Sequence, residues 1–385
     1  MDEVSDWLSG HLDHMVADLG TFVSLETPSQ EVPLLDVGFD WLNDWLVGSL
    51  GKPAEFRRHS DPEYGSTLVS RYAGEGPGKV ALLSHYDTVW RSGTLAERPF
   101  SVQDGIATGP GIFDMKAGVV QGLWAVRALD RLGIRRPDLV LVFNPDEEVG
   151  SVSSRALIED ACRDCDAVLV LEPSFGGALK TARKGVGIYE ISAKGVAAHA
   201  GLDPERGASA ITALMQRCLS ALDLADPAAG STVSIGTFHG GSRTNVVAES
   251  ATAMVDTRAA TVAEAERLDT GLRALAGAVG GATVSVTGGL NRPVMERGPG
   301  TARLYGLATT AAAALDIALT EVSAGGGSDG NFAASMGLPV LDGLGPVGDG
   351  AHAEGEYIVI DKMVERARLL SGILHAIPPS ITVAA

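Results

Sequence analysis

The chain has 385 residues, with 48 acidic against 30 basic side chains and a formal net charge of −18. An acidic surface repels nucleic-acid phosphates and anionic lipid headgroups, so neither nucleic acid nor a membrane is an expected partner. A hydrophobic share of 45% excludes a disordered chain, and the length suits two domains.

The N-terminus, MDEVSDWLSGHLDHMV, lacks the basic and apolar regions of a signal peptide, and no run of about 18 apolar residues follows, so a cytoplasmic protein is expected. Apolar residues recur at helical spacing over residues 3–25, and a second helix is predicted over 32–50. Short apolar runs at 66–71 and 80–84 read as strands. Residues 116–132 read as a buried helix, 138–144 as a buried strand, 153–160 as a helix and 167–171 as another buried strand. Cys162 and Cys165 lie between these last two elements. With Cys218 the cysteine count is odd, which argues against a disulfide framework. No second cysteine or histidine pair follows at zinc-finger spacing, so the pair reads as small thiols beside a helix end. Strands alternating with helices predict an α/β fold with a mainly parallel sheet covered by helices on both faces.

The pattern changes after Lys184. A strand at 187–194, a helix at 206–224, strands at 232–238 and 248–258, a helix at 263–279 and a strand at 283–287 give the order β-α-β-β-α-β, the ferredoxin-like split unit. This predicts an inserted α+β domain over 185–291 within a discontinuous domain of 1–184 and 292–385. Helices at 302–315 and 362–376 and a strand around 339–341 complete the second half.

Hard and imidazole ligands recur just after the predicted strands, at the carboxyl ends where ligands bind in parallel sheets. The segment 82–90, LLSHYDTVW, ends a strand with His85 and Asp87. A neutral imidazole is a good zinc ligand, and a carboxylate two residues on can accept its other ring N–H. In 109–118, GPGIFDMKAG, Asp114 lies between a glycine-rich turn and a helix. It can cap that helix or bridge two cations. In 143–150, FNPDEEVG, three acids follow a strand, and one glutamate can ligate while its neighbour takes a proton. Glu172 ends the next strand, and His352 lies far away in the glycine-rich GPVGDGAHAEGE. Together these supply two histidines, Asp114, Glu148 and Glu172. That is enough for two zinc ions that each take one histidine and one glutamate and share the aspartate, with Glu147 left as the base. Co2+ or Mn2+ would suit the same ligands.

The order H-x-D, G-x-x-D-M-K, D-E-E-x-G, E-P and a distant A-H-x-E resembles the co-catalytic dizinc exopeptidases, the superfamily of bacterial glutamate carboxypeptidase, aminoacylase and acetylornithine deacetylase. The resemblance runs from about residue 5 to 376 and implies roles position by position. His85, Asp114 and Glu172 would bind one zinc, and Asp114, Glu148 and His352 the other. Glu147 would be general base and Asp87 would orient His85. Met115 stands where much of the superfamily has aspartate, as in the glutamate carboxypeptidase branch, and the Asp114–Met115 peptide is cis in the family. The inserted domain would be a lid and dimerisation domain, so a homodimer is implied. His199, in GVAAHAG, would reach the active site of the second subunit and stabilise an oxyanion. Asn245, Arg258 and Arg292 resemble substrate contacts. Gly326, Gly327 and Ser328, in the GGGSD loop, resemble the loop at the substrate carboxylate.

The implied activity is hydrolysis of an amide bond next to a free-carboxylate amino acid in a small molecule or short peptide. A glutamate carboxypeptidase-like exopeptidase is the first reading. An N-acyl-amino-acid deacylase uses the same motifs, and a non-catalytic binding protein on the same fold is the remote alternative.

Overall fold

The computed structural model describes residues 1–378. The chain divides into two compact units. Met1–Ala182, Arg297–Ser323 and the residues from Ser328 on form the first, and Arg183–Glu296 with Ala324–Gly327 the second. These boundaries differ by a few residues from those expected. Arg183 and Met295 exchange backbone hydrogen bonds of 2.9 and 3.1 Å, and the Lys184 amide donates to Ala324 O at 3.0 Å, which ties residues 292–296 and 324–327 into the second unit.

The first unit is built on a six-stranded sheet. Its strands β1 (Glu55–Asp61), β2 (Gly65–Tyr72), β3 (Lys79–His85), β4 (Asp138–Asn144) and β5 (Ala167–Val170) join Val340–Leu341 in the order β1-β2-β4-β3-β5-Val340–Leu341. From β4 onward the pairs are parallel, while β1, β2 and β4 pair antiparallel. β3 and β4 are buried along all but their first residue, which their unbroken apolar runs require for strands covered on both faces. β1 carries no local signal, because EFRRHSD is exposed almost throughout and has no apolar periodicity. The expected helix over 3–25 is two helices, Asp2–Ser9 and Leu12–Val23, separated at Gly10 and His11.

Helix α1 (Ala117–Arg131) and the closing helix Asp361–Ala376 pack their apolar side chains into the core with Leu82, Leu141 and Leu169 of the sheet. A Cβ at Gly118 would stand 2.0 Å from Leu171 O, so only glycine permits this approach to the backbone just before Glu172. The buried Arg366 guanidinium secures the same region by donating to Gly343 O (2.5 Å), Gly177 O (2.9 Å) and Gly345 O (3.0 Å).

The second unit has strands β6 (Gly185–Lys194), β7 (Thr232–Gly240), β8 (Ser250–Ala259), β9 (Gly277–Val279) and β10 (Ala282–Arg292), in the antiparallel order β7-β8-β6-β10-β9. Helices α2 (Ala210–Leu222) and α3 (Val262–Arg273) place Leu214 and Leu272 against Tyr189, Ile191, Val255 and Val284 of the sheet. Each helix is opened by a side-chain cap. Ser209 accepts from the Thr212 amide and Thr261 from the Glu264 amide. The helix expected over 263–279 stops at Arg273. Gly277 has φ +127°, and Gly280 and Gly281, at φ +55° and +84°, turn the chain into the β9–β10 hairpin. Among the described residues no helix is long and apolar enough to cross a membrane.

Candidate metal centre

β3 delivers His85 at its carboxyl end. The ring Nδ1 lies 3.0 Å from Asp87 O and 3.3 Å from Asp87 Oδ1, so its Nε2 is the nitrogen turned toward Asp114 and Glu172. Asp87 is fully buried (0% exposed). It accepts from Ser29 Oγ at 2.7 Å and from the amides of Glu147 and Glu148, each at 3.2 Å. One carboxylate thus orients the imidazole and fixes the turn that carries both glutamates. Asp146, the first acid of that turn, faces away from the cluster. It is buried and accepts from Ser153 N (2.7 Å), Ser154 N (3.2 Å) and both serine hydroxyls.

Asp114 sits in the tight turn Ile112–Lys116 and is joined to Met115 by a cis peptide. Met115 Sδ accepts from the His85 amide at 3.4 Å. Buried Lys116 fastens the turn to the C-terminal end of the helix Leu12–Val23 through Leu25 O (2.6 Å) and Phe22 O (3.3 Å), and burial pushes its pKa down to about 7.

The two oxygens of Asp114 face different imidazoles. Oδ1 lies 3.3 Å from His85 Nε2 and Oδ2 lies 3.4 Å from His352 Nε2. On the first side Glu172 Oε1 is 3.5 Å from His85 Nε2, and on the second Glu148 Oε2 is 2.9 Å from His352 Nε2. Ligand atoms of His85, Asp114 and Glu148 lie within 4.8 Å of one another, as do those of His85, Glu147 and Glu172, so Glu147 belongs to the same cluster. His352 has φ +61°, a left-handed conformation uncommon outside glycine, and its side chain is 53% exposed.

The electrostatics follow from this crowding. Burial opposes charge on His85, but Asp114, Asp87 and Glu172 outweigh it and hold the imidazole pKa well above its usual value. Asp114 and Glu148 raise His352 to about 10. Burial alone would raise Asp114, yet hydrogen bonds from His352 and His85 hold it well below the usual carboxylate range. Burial pushes Glu148 up to about 7 against the pull of His352. Glu148 Oε1 is buried with no hydrogen-bond partner. An orphaned carboxylate oxygen amid imidazoles and acids fits a cation, and the donor set of two histidines and four carboxylates, without cysteine, suits zinc or a similar dication.

The second unit holds the other expected contacts. His199 Nδ1 accepts from the amides of Gly201 (3.1 Å) and Leu202 (3.2 Å), and Ala200 N donates to Asn245 O (2.9 Å), so His199 and Asn245 share one exposed loop cluster. Arg258 and Arg292 flank Val186 on neighbouring strands. Arg258 is engaged by Asp256 through two bonds of 2.8 and 2.9 Å. Gly327 packs on Arg292, where a Cβ would come within 2.9 Å of Cγ, and Arg183 donates to the carbonyls of Gly326 and Gly327. Ser328 belongs to the first unit. Its amide donates to Asn331 Oδ1 (2.9 Å) and its hydroxyl to Asp342 (2.5 Å), so both groups are already engaged.

Residues 81–376 match the model of peptidase family M20/M25/M40. The chain is a member of that family. It is 32% identical over 373 residues to carboxypeptidase G2 of Pseudomonas sp. (strain RS-16), covering 94% of this chain and 88% of that one. It is 28% identical over 358 residues to succinyl-diaminopimelate desuccinylase of Paracoccus denitrificans, covering 86% and 91%. The fold matches the M20 family metallo-carboxypeptidase Sso-CP2 of Sulfolobus solfataricus with a TM-score of 0.71 at 15% identity, over 94% of this chain and 98% of that one. This M20 chain is therefore an enzyme, a metallopeptidase or related hydrolase.

The raised histidine pKa values carry a prediction for the metal-free M20 enzyme. At pH 8, below about 10, His352 holds a proton that a cation must displace. Adding Zn2+ to the metal-free chain in weak buffer should release protons at pH 8, with apparent affinity rising as pH increases toward 10. Uptake without acidification, measured in a pH-stat, would contradict this.

Proposed function

We propose that this M20 enzyme is a dinuclear zinc exopeptidase of the glutamate carboxypeptidase type, cleaving the amide bond next to an amino acid with a free carboxylate. The observation that carries the reading is Asp114, whose two oxygens address His85 and His352 separately while Glu147 stands beside them. His85, Asp114 and Glu172 would hold one ion, and Asp114, Glu148 and His352 the other. Bound there, the two dications would supply Lewis-acid polarisation of the scissile carbonyl and a lowered pKa for the attacking water.

Glu147 takes the proton from that water and passes it to the departing amine nitrogen. Asp87 keeps the His85 ring in register and keeps the Glu147 turn in place. His199 donates to the oxyanion as the carbonyl carbon becomes tetrahedral. With Nδ1 accepting two amides, the neutral ring carries its proton on Nε2, the nitrogen left to act as donor. Arg292, with Gly327 packed against it, is suited to the substrate carboxylate, and Gly326 stands beside Gly327 in the same loop. Asn245 and Arg258 complete the proposed substrate contacts, although Arg258 must share its charge with Asp256.

The second unit also supports a homodimer. Arg258 and Arg292 lie beside Val186, at the start of β6, whereas His199 and Asn245 lie beyond its far end at Lys194. Eight residues of strand separate these ends by about 26 Å. One small substrate does not span that distance, so one of the two sets would serve the site of a second copy. The outer strand β7 and the α2 face of Met215, Leu219 and Leu222 expose apolar surface suited to that association. Three buried, unpaired cysteines suit a cytoplasmic location.

Glu147→Gln should lower kcat by about 10²–10⁴-fold while metal content stays unchanged, and near-normal turnover would contradict the base assignment. Glu147→Gln and His199→Ala, each impaired alone, should recover activity when co-expressed, because one site of the mixed dimer is then intact. Two variants that stay impaired together would contradict a shared site. The desuccinylase relative favours N-acyl-amino-acid deacylation as a second reading. Comparing kcat/KM on a folate-type glutamate amide, on dipeptides and on N-acyl amino acids separates the two, and the glutamate amide is expected to be fastest.

A further inference from the structure

We propose that Glu356 is a positioning residue that locks the Asp114 turn to the His352 loop and so sets the reach of the His352 side of the metal pocket. The inference rests on the dinuclear reading above. Glu356 is only 3% exposed and has no place in the ligand set. Its Oε1 accepts from the amides of Phe113 (2.7 Å) and Asp114 (3.1 Å), and its Oε2 accepts from the Gly111 amide and Trp90 Nε1, both at 2.9 Å. Three of these four donors are backbone groups of the turn that presents Asp114. The fourth follows His85 by five residues.

Glu356 is also fixed to His352. The Ala353 amide donates to Gly350 O at 2.8 Å and the Glu356 amide to Ala353 O at 3.1 Å, which folds residues 350–356 into two linked turns. Gly350 packs so closely that a Cβ would lie 2.9 Å from Glu356 Cα. His352 and Glu356 therefore move as one piece, and the carboxylate is the clamp between that piece and Asp114. The 3.4 Å spacing of His352 Nε2 and Asp114 Oδ2 is set from both sides by this clamp. The His85–Glu172 side depends on β3, β5 and Asp87 instead. Loss of the clamp should thus weaken the two ion sites unequally. Only a carboxylate offers acceptors to all four donors, because a glutamine would turn its NH2 against two of them.

The test is a Co2+ titration of the metal-free, full-length chain, followed by visible absorption, for wild type, Glu356→Gln and Trp90→Phe. Wild type should bind two ions per chain. Glu356→Gln should keep one near wild-type affinity and weaken the other by about 10–100-fold. Trp90→Phe, which leaves the three backbone bonds, should keep both. Glu356→Asp, still charged but one methylene shorter, should show the same unequal loss and serves if Glu356→Gln does not fold. Unchanged affinities in both Glu356 variants would overturn the inference, as would equal weakening of both sites with a lower Tm of the metal-free chain. Wild type that binds no Co2+ would instead overturn the dinuclear reading, and this inference with it.

Discussion

The structure of the first unit turns on one electrostatic constraint. Asp114, Glu147, Glu148 and Glu172 are gathered with two imidazoles at the carboxyl ends of a buried sheet. Like charges held this close raise one another's pKa unless positive charge stands among them. The backbone around them is built to bear that cost. Asp87 collects the His85 ring, the Ser29 hydroxyl and two amides. Asp146 collects two serines, and Glu356 collects three amides and an indole. Each buried acid outside the cluster is satisfied by donors, whereas Glu148 Oε1 within it is not. That contrast separates the acids that hold the loops from those that could hold a cation.

The bulk charge of −18 pointed away from polyanions but said little about the site. Two dications among these ligands would offset the charge of the four carboxylates, so a carboxylate-bearing substrate is compatible with an acidic protein. The arginines near Val186 and the His199–Asn245 loop occupy opposite ends of one strand, and under the proposed reading that separation would tie substrate recognition to assembly.

Much of this was legible in the sequence because the informative residues fall where periodicity is strongest. The continuous apolar runs of β3, β4 and β5 announced buried parallel strands, and the residues just beyond them supplied His85, the Glu147–Glu148 pair and Glu172. The alternating strands of the inserted unit were equally clear. What escaped detection lacked a local signal. β1 is exposed along nearly its whole length and shows no pattern. The β9–β10 hairpin hides behind helix-forming residues until Gly277. Glu356 is indistinguishable by composition from exposed Glu354 in the same AHAEGE segment, and only the fold shows which of the two is buried. The engagement of Arg258 by Asp256 and of Ser328 by Asn331 and Asp342 is likewise a tertiary fact, and it narrows the substrate contacts that residue type alone suggested.

The central claim is that Asp114 is shared between two metal ions. Anomalous diffraction at the zinc edge, on crystals of the zinc-loaded chain, tests it most directly. Two peaks about 3.5–4 Å apart are predicted, one bonded to His85 and Glu172, the other to Glu148 and His352, with one Asp114 oxygen on each. A single peak, or a pair in which Asp114 touches only one, would contradict the account.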